Sequence, residues 1–305
     1  MAIYSISDLE KLSGIKAHTI RIWEQRYSII TPQRTDTNIR YYADDDLKLL
    51  LNVALLNKNG IKISRIANMS QHEIAEKVAA ISDVNFEYHT QLDALTISMI
   101  EMDEYKFDRI VSTNTQQIGF ERTMLEVIYP FLEKLSVLWL TGSINPAQEN
   151  FISYLIRQKI IAAIDSEPLP INKLGKKYVI YLPEGERQEL SLLFMHYLLK
   201  SRKNRVIYLG QDISLADLKD ACKIHRPDFI FTMITETFAK EPVQKYIDRM
   251  AASFPESRIL LSGYQVVVQP VTPPENVSIL KSLPQMLEFL SWNSGEMANV
   301  LSVVK

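Results

Sequence analysis

The residues best suited to chemistry stand near the start of the chain. Lys16, His18, Thr19 and Arg21 open a segment with helical spacing. Side chains of these types bond phosphate oxygens or base edges, with arginine favouring guanine, and a helix enters a DNA major groove by its N-terminal part. Metal and thiol chemistry is poorly supplied. The single cysteine, Cys222, stands three residues before His225, a spacing that on a helix usually serves packing. One thiol builds neither an intrachain disulfide nor a multi-cysteine zinc site. Glu184, Glu186 and Glu189 gather at the start of a helical segment, where acidic side chains suit the positive end of the helix dipole better than catalysis.

The elements that must position these residues are legible from punctuation and period. Ser7 and Glu10 have capping-box spacing, Leu9 and Leu12 share one face, and Gly14 stops the helix. A second helix is expected over 17–26, with Ile20, Trp23 and Tyr27 at helical spacing. TPQRTDTNIRYY (31–42) reads as a small β-wing, and Trp23, Ile20 and Tyr42 as its aromatic and apolar filling. Leu47, Leu50, Leu51, Ala54 and Leu55 form the stripe of a third helix that Gly60 ends. Two helices, a tight turn and a basic wing describe a winged helix-turn-helix.

Helical periodicity continues over roughly 70–81, 86–101, 104–118, 120–141 and 146–165, which suits a four-helix bundle after a connector. EPLPINKLGKK (167–177) reads as a linker. Beyond it the period changes. Apolar strands are expected at 178–183, 205–210, 228–234, 258–263 and 276–280, alternating with helices near 187–202, 214–225 and 241–254, with a last helix after the fifth strand. Fully apolar strands alternating with helices imply a doubly wound parallel sheet of about five strands, with ligands at the carboxyl ends of the strands. The loops to watch are PEGERQ (183–188), GQDIS (210–214), 235–237 and SGYQ (262–265). YQVVVQPVTPP (264–274), with three prolines and four valines, argues against the helix usual at that place in such folds. The expected class is therefore multidomain α and α/β. Its domains are a winged helix-turn-helix over 1–75, a helix bundle over 76–166, a linker over 167–177 and a Rossmann-like domain over 178–305.

The 305 residues suffice for two or three domains. Hydrophobic residues at 47% and charged residues at 23% exclude a disordered tail, a collagen-like rod and a disulfide-stapled miniprotein. No apolar run reaches the roughly 18 residues of a membrane span, and MAIYSISDLE lacks the form of a signal peptide. A cytoplasmic protein without a membrane partner is expected. The net charge of −2 argues against a nucleic-acid partner only as an average. Residues 1–70 hold ten Lys or Arg against seven Asp or Glu, and the remainder hold 24 against 29. A basic reader joined to an acidic body fits that split.

The N-terminal segment resembles the MerR family of transcription regulators. The matching residues are Ile6-x-x-Leu9, Leu12-x-Gly14, Thr19-Ile20-Arg21, Trp23-Glu24, Pro32-x-Arg34 and Arg40-x-Tyr42, across about 45 residues with Leu47 through Ile66 following. The resemblance implies a homodimer on near-palindromic double-stranded DNA, and dimers that pair further into tetramers. It also implies wing contacts to backbone or minor groove at Arg34 and Arg40. The full expected contact set is Lys16, His18, Thr19, Arg21, Arg26, Tyr27, Arg34, Arg40 and Tyr41. Ile22 stands where the family frequently has a tyrosine.

The rest of the chain resembles the cobalamin-binding module of light-responsive MerR-type repressors. That module carries a Trp followed ten residues later by Glu-His, and here Trp139 precedes Glu149 and Asn150. Its Glu/Asp-x-His-x-x-Gly is matched by Glu186, Gln188 and Ser191. YLGQDISLADL (208–218) follows its pattern well, and Thr232 and Gly263 fall at positions implied to line the nucleotide tail. Imidazole is a good neutral ligand for cobalt and carboxamide a poor one, so cobalamin is disfavoured by Asn150 and Gln188, though some proteins hold it without an axial side chain. Ser191 also adds a side chain where the pattern has glycine. His196 and His225 lie at other offsets and read as ordinary surface or core residues.

The function expected is a non-enzymatic, DNA-binding transcription regulator whose C-terminal module senses a ligand or sets oligomeric state, without cobalt–histidine ligation. The alternatives are a genuine cobalamin-binding sensor, a corrinoid-carrying enzyme subunit, and a module that has lost its ligand and serves as a scaffold.

Overall fold

The computed structural model describes residues 3–34, 38, 40–84, 88–140, 144–168, 175–187, 189–235 and 242–294. They fall into two units, 1–156 and 157–305. The first opens with a strand not expected from the sequence, β1 (Ile3–Tyr4), which pairs antiparallel with β3 (Arg40–Ala43) through Ile3↔Ala43 and Tyr4↔Tyr42. That non-local pairing holds the chain extended up to Ser5, so the first helix starts there. Ser5, rather than Ser7, caps α1 (Ile6–Ser13): its N–H donates to Asp8 Oδ2 at 2.8 Å, and the Asp8 N–H donates to Ser5 Oγ at 3.3 Å. Glu10 instead accepts the Ala17 N–H at 3.2 Å. Gly14 closes α1 in the left-handed region at φ 68°, which a side chain would strain.

α2 (Ala17–Tyr27) follows, and β2 (Gln33–Arg34) pairs antiparallel with β3 to make the wing. α3 (Asp44–Lys58) buries Leu47, Leu50, Leu51, Ala54 and Leu55, the stripe read from the sequence, and α4 (Ile63–Ile66) is a single turn. The bundle comprises α5 (Gln71–Val84), α6 (Tyr88–Glu101), α7 (Glu104–Ile118), α8 (Phe120–Thr123), α9 (Tyr129–Leu140) and α10 (Pro146–Ser166), the last crossing the boundary between units. Instead of one helix over 120–141, a π-helical turn at Met124–Ile128 separates α8 from α9. Pro130 lacks the N–H that would bond the carbonyl four residues back, and the ladder rewinds just before it. α6 is the central helix, buried at nearly every position from Gln91 to Ile100.

The second unit is a five-stranded parallel sheet in the order β5-β4-β6-β7-β8. The chain runs β4 (Lys177–Pro183), α11 (Glu189–Ser201), β5 (Arg205–Ile213), α12 (Leu215–His225), β6 (Phe229–Met233), α13 (Val243–Ser253), β7 (Arg258–Ser262), α14 (Tyr264–Val268), β8 (Val277–Ile279) and α15 (Leu283–Ser294). The two strands neighbouring β4 are reached by crossovers in opposite directions, so the switch point of the sheet lies at its carboxyl edge beside β4. Tyr178, Val179, Ile180, Tyr181, Ile230, Phe231, Ile259 and Leu260 are buried, as strands covered on both faces require. The segment after Gly263 does form a helix, α14, but it stops after five residues because Pro270 and the extended Gln269 before it cannot continue one. Residues 169–174 of the expected linker lie outside the described residues.

Candidate functional site

α2 sorts its residues by physical type. Ile20 and Trp23 are buried against the head, which turns His18, Arg21 and Arg26 to solvent and leaves Thr19 and Tyr27 half-buried. Lys16, exposed just before the helix, lies 3.3 Å from Glu10. The Ala17 N–H and Lys16 together hold the Glu10 carboxyl below its ordinary range. In the wing, exposed Arg34 donates from Nη1 to Asn38 Oδ1 at 2.7 Å, and Tyr41 is half-buried. Arg40 is less available than its expected role suggests, since its Nε lies 3.6 Å from Glu24 Oε1. The Tyr42 hydroxyl donates to Glu24 Oε2 at 3.1 Å, and burial, followed by the Glu24 charge, pushes this phenol up to about 12. Glu24 thus ties α2 to β3. It stood in the motif beside Trp23, but only the fold reveals that it fixes the angle between helix and wing.

The expected ligand residues fall in both units. Trp139 on α9 is 44% exposed, and α10 carries half-buried Glu149 and exposed Asn150 in its first turns. In the second unit Ser191 is half-buried on α11, while Gln188 lies outside the described residues. Glu186, Thr232 and Gly263 come together at the carboxyl edge of the sheet. Glu186 is only 1% exposed, and its Oε2 accepts the Thr235 N–H at 2.6 Å, so its place is set by the loop after β6 and not by the dipole of α11. Within α11 itself Glu189 takes both Arg157, at 2.8 and 3.3 Å, and the Tyr208 hydroxyl at 3.1 Å.

The remaining loops of that edge are bonded to one another. The Ile234 N–H donates to Ser262 O, the Gln265 N–H to Ile234 O, and Gln265 Nε2 to Thr235 O. Asp212 Oδ1 accepts the Gly185 N–H at 3.0 Å. A Cβ on Gly263 would meet Ile234 O at 2.5 Å, so this glycine admits the protein's own backbone. Thr232, buried beside Tyr181 of the neighbouring strand, makes no hydrogen bond through its hydroxyl. Tyr181 fills the layer beneath α13, its hydroxyl 2.9 Å from that of Tyr246 and 3.2 Å from Met250 Sδ. Asp212, Thr235 and Gln265 lie in the loops to which the sequence pattern points, but their partners come from other strands and loops, and the role of Tyr181 has no local signal.

The other candidate groups are structural. His196 stacks on Tyr208 at 5.2 Å, and burial, aided by Lys200, pushes it down to about 4. Cys222 is buried and its thiol pushed up to about 11, which keeps it protonated and unreactive near neutrality. Among the described residues no group of three His, Cys, Asp or Glu could hold a metal ion, and no helix is long and apolar enough to cross a membrane.

Residues 4–73 match the family described as MerR HTH family regulatory protein, and residues 91–163 match the family described as B12 binding domain. The chain is a MerR-type HTH transcriptional regulator with a B12 binding domain. It is 26% identical over 259 residues to the HTH-type transcriptional repressor CarH of Myxococcus xanthus, covering 83% of this chain and 85% of that one. It is 26% identical over 256 residues to the repressor CarA of the same organism, covering 82% and 84%. To the HTH-type transcriptional regulator MlrA of Escherichia coli (strain K12) it is 32% identical over 73 residues, covering 24% of this chain and 30% of that one.

The donor set of this MerR-type regulator does not fit a cobalt held by protein imidazole. Asn150 and Gln188 carry carboxamides where the resemblance expects histidine. His196, the histidine on α11, is stacked in the fold's own packing, and the clearance at Gly263 is taken by Ile234.

Proposed function

We propose that this regulator binds double-stranded DNA as a homodimer through Lys16, His18, Thr19, Arg21, Arg26, Tyr27, Arg34, Arg40 and Tyr41. The observation that carries the reading is the sorting of α2, whose buried Ile20 and Trp23 direct His18 and Arg21 outward at the helix's N-terminal half. Arg34 and Arg40, on paired wing strands, supply cations beside it. The regulator acts from the cytoplasm, and its dimers pair further into tetramers. We divide the chain at 1–75, 76–166, 167–177 and 178–305. The last domain senses a ligand or sets oligomeric state without cobalt–histidine ligation, and the chain is not an enzyme. The groups at the carboxyl edge of the sheet, Glu186 and Gln265 among them, are bonded to neighbouring loops, in keeping with a module that does not depend on cobalt.

The test is enrichment of a duplex from a random-sequence pool by the full chain, followed by mobility shift. Two-fold-symmetric enriched sites with loss of binding in Arg21→Ala are expected, and undiminished binding by that variant would overturn the site. The second reading is cobalamin retained without a protein imidazole, favoured by the match of residues 91–163 to the B12 binding domain family. Incubation with adenosylcobalamin, desalting and a visible spectrum decide between them. A colourless protein is expected, and a stoichiometric corrinoid spectrum establishes the second reading instead.

A further inference from the structure

Asp93 is a lone acid in an otherwise uncharged stretch of α6, and it is mostly buried, its side chain 16% exposed. A carboxylate so placed requires a partner, and it has two. Lys58 Nζ lies 2.6 Å from Asp93 Oδ2, and Lys134 Nζ lies 3.1 Å from Oδ1. Lys58 is the last residue of α3, in the DNA-reading head, and Lys134 belongs to α9 of the bundle. One negative charge holding two ammonium groups leaves a positive excess. The Lys58 amine carries it toward the turn between α1 and α2, since a Cβ on Gly14 would lie 3.5 Å from Lys58 Nζ. That is the C-terminal end of α1, where the helix dipole is negative and a cation is favoured. The charges therefore alternate from the end of α1 through Lys58 and Asp93 to Lys134.

We propose that Asp93 is a positioning residue, a clasp through which the bundle helices α6 and α9 set the orientation of the helix-turn-helix turn and hence DNA affinity. The proposal rests on the DNA-binding reading above. Burial works against the Lys134 ammonium and Asp93 opposes that loss, so a change in the α6–α9 spacing alters how much of the carboxylate is left for Lys58. Lys58 then holds the Gly14 turn more or less tightly, and residues Lys16 to Arg21 follow directly from that turn. α3 also packs on α5 and α6 through apolar residues, so the head stays attached to the bundle when the clasp is cut, and what changes is its set. An element whose equilibrium is biased from one end and read at the other is what coupling between sites requires.

The experiment uses the full chain and the duplex that the wild type enriches from a random pool. Lys134→Met leaves Asp93 paired to Lys58 and removes a poorly solvated charge, so its thermal midpoint should not fall. Its affinity for the duplex should nevertheless drop about 5-fold, and amide exchange over Gly14–Arg21 should rise while that of α3 stays constant. Affinity in Lys134→Met that is unchanged or tighter overturns the clasp, as does a loss that follows a lowered midpoint. A wild-type chain that enriches no duplex overturns the DNA-binding reading itself, and the clasp with it.

Discussion

The head and the sheet domain treat polar residues in opposite ways. On α2, apolar side chains anchor the helix and the cations are left in water, where they can meet a partner. At the carboxyl edge of the sheet, where doubly wound folds usually receive ligands, Glu186, Asp212 and Gln265 are bonded to backbone of neighbouring loops. The same residue types thus mean different things. A charged side chain advertises a partner only when the fold has not already given it one.

The contrast can be attacked from the sheet side with the largest effect. Tyr181→Ala should remove a fully buried ring and both hydroxyl contacts, costing the second unit about 3–5 kcal/mol, seen as a lowered melting transition. DNA affinity of the folded protein should be preserved, and a matching loss there would break the separation of roles.

On the head side the order of effects reverses. Arg21→Ala should leave melting unchanged while weakening the enriched duplex by about 1–3 kcal/mol, read by mobility shift. A protein stabilised by buried groups in the sheet domain should also show it in pH. His196 is pushed down to about 4 in the fold, below its ordinary 6.5, so the unfolded chain binds the extra proton between those values. Its contribution is complete above about pH 6.5 and is lost as pH falls toward about 4. After discounting for the ring's partial solvent contact it amounts to about 1–2 kcal/mol, and His196→Phe should flatten that slope in melts across the range. The smallest effect expected is that of Arg34→Ala. An exposed wing cation should give a uniform loss across sequences, and its removal should reduce the slope of log affinity against log salt by about 1. A slope unchanged by the variant would take Arg34 out of the contact set.

Much of this was legible beforehand, and the failures share a cause. The Leu47–Leu55 stripe, Gly14 as a helix stop and the apolar runs of β4, β6 and β7 depend on residues close in the chain, so pattern alone finds them. The cap of α1 falls two residues before the Ser7 spacing because a strand pairing some 40 residues away sets where the helix begins. The π turn within 120–141 does not follow from Pro130 alone, since a proline says that a ladder must adjust and not how. The shortness of α14 is half-legible: the prolines argue against a helix, and five residues fit before them. Within the sites, Lys16 to Arg21 could be named from type and spacing. Glu24 and Asp93 could not be given roles, although an isolated acid in the apolar stretch from Leu92 to Ile100 is a signal that a partner must exist.

The sequence by itself determined most of the elements, the order of the reading head, bundle and sheet, and the absence of histidine at 150 and 188, because periodicity, punctuation and residue identity are local properties. Only the tertiary structure decided which polar groups remain open. Glu24 is committed to the wing, Asp93 to two lysines on different helices, and Glu186 to the loop after β6, and each pairing joins segments that no sequence spacing brings together. Burial sets that outcome, since a desolvated carboxylate must find donors wherever the fold places them.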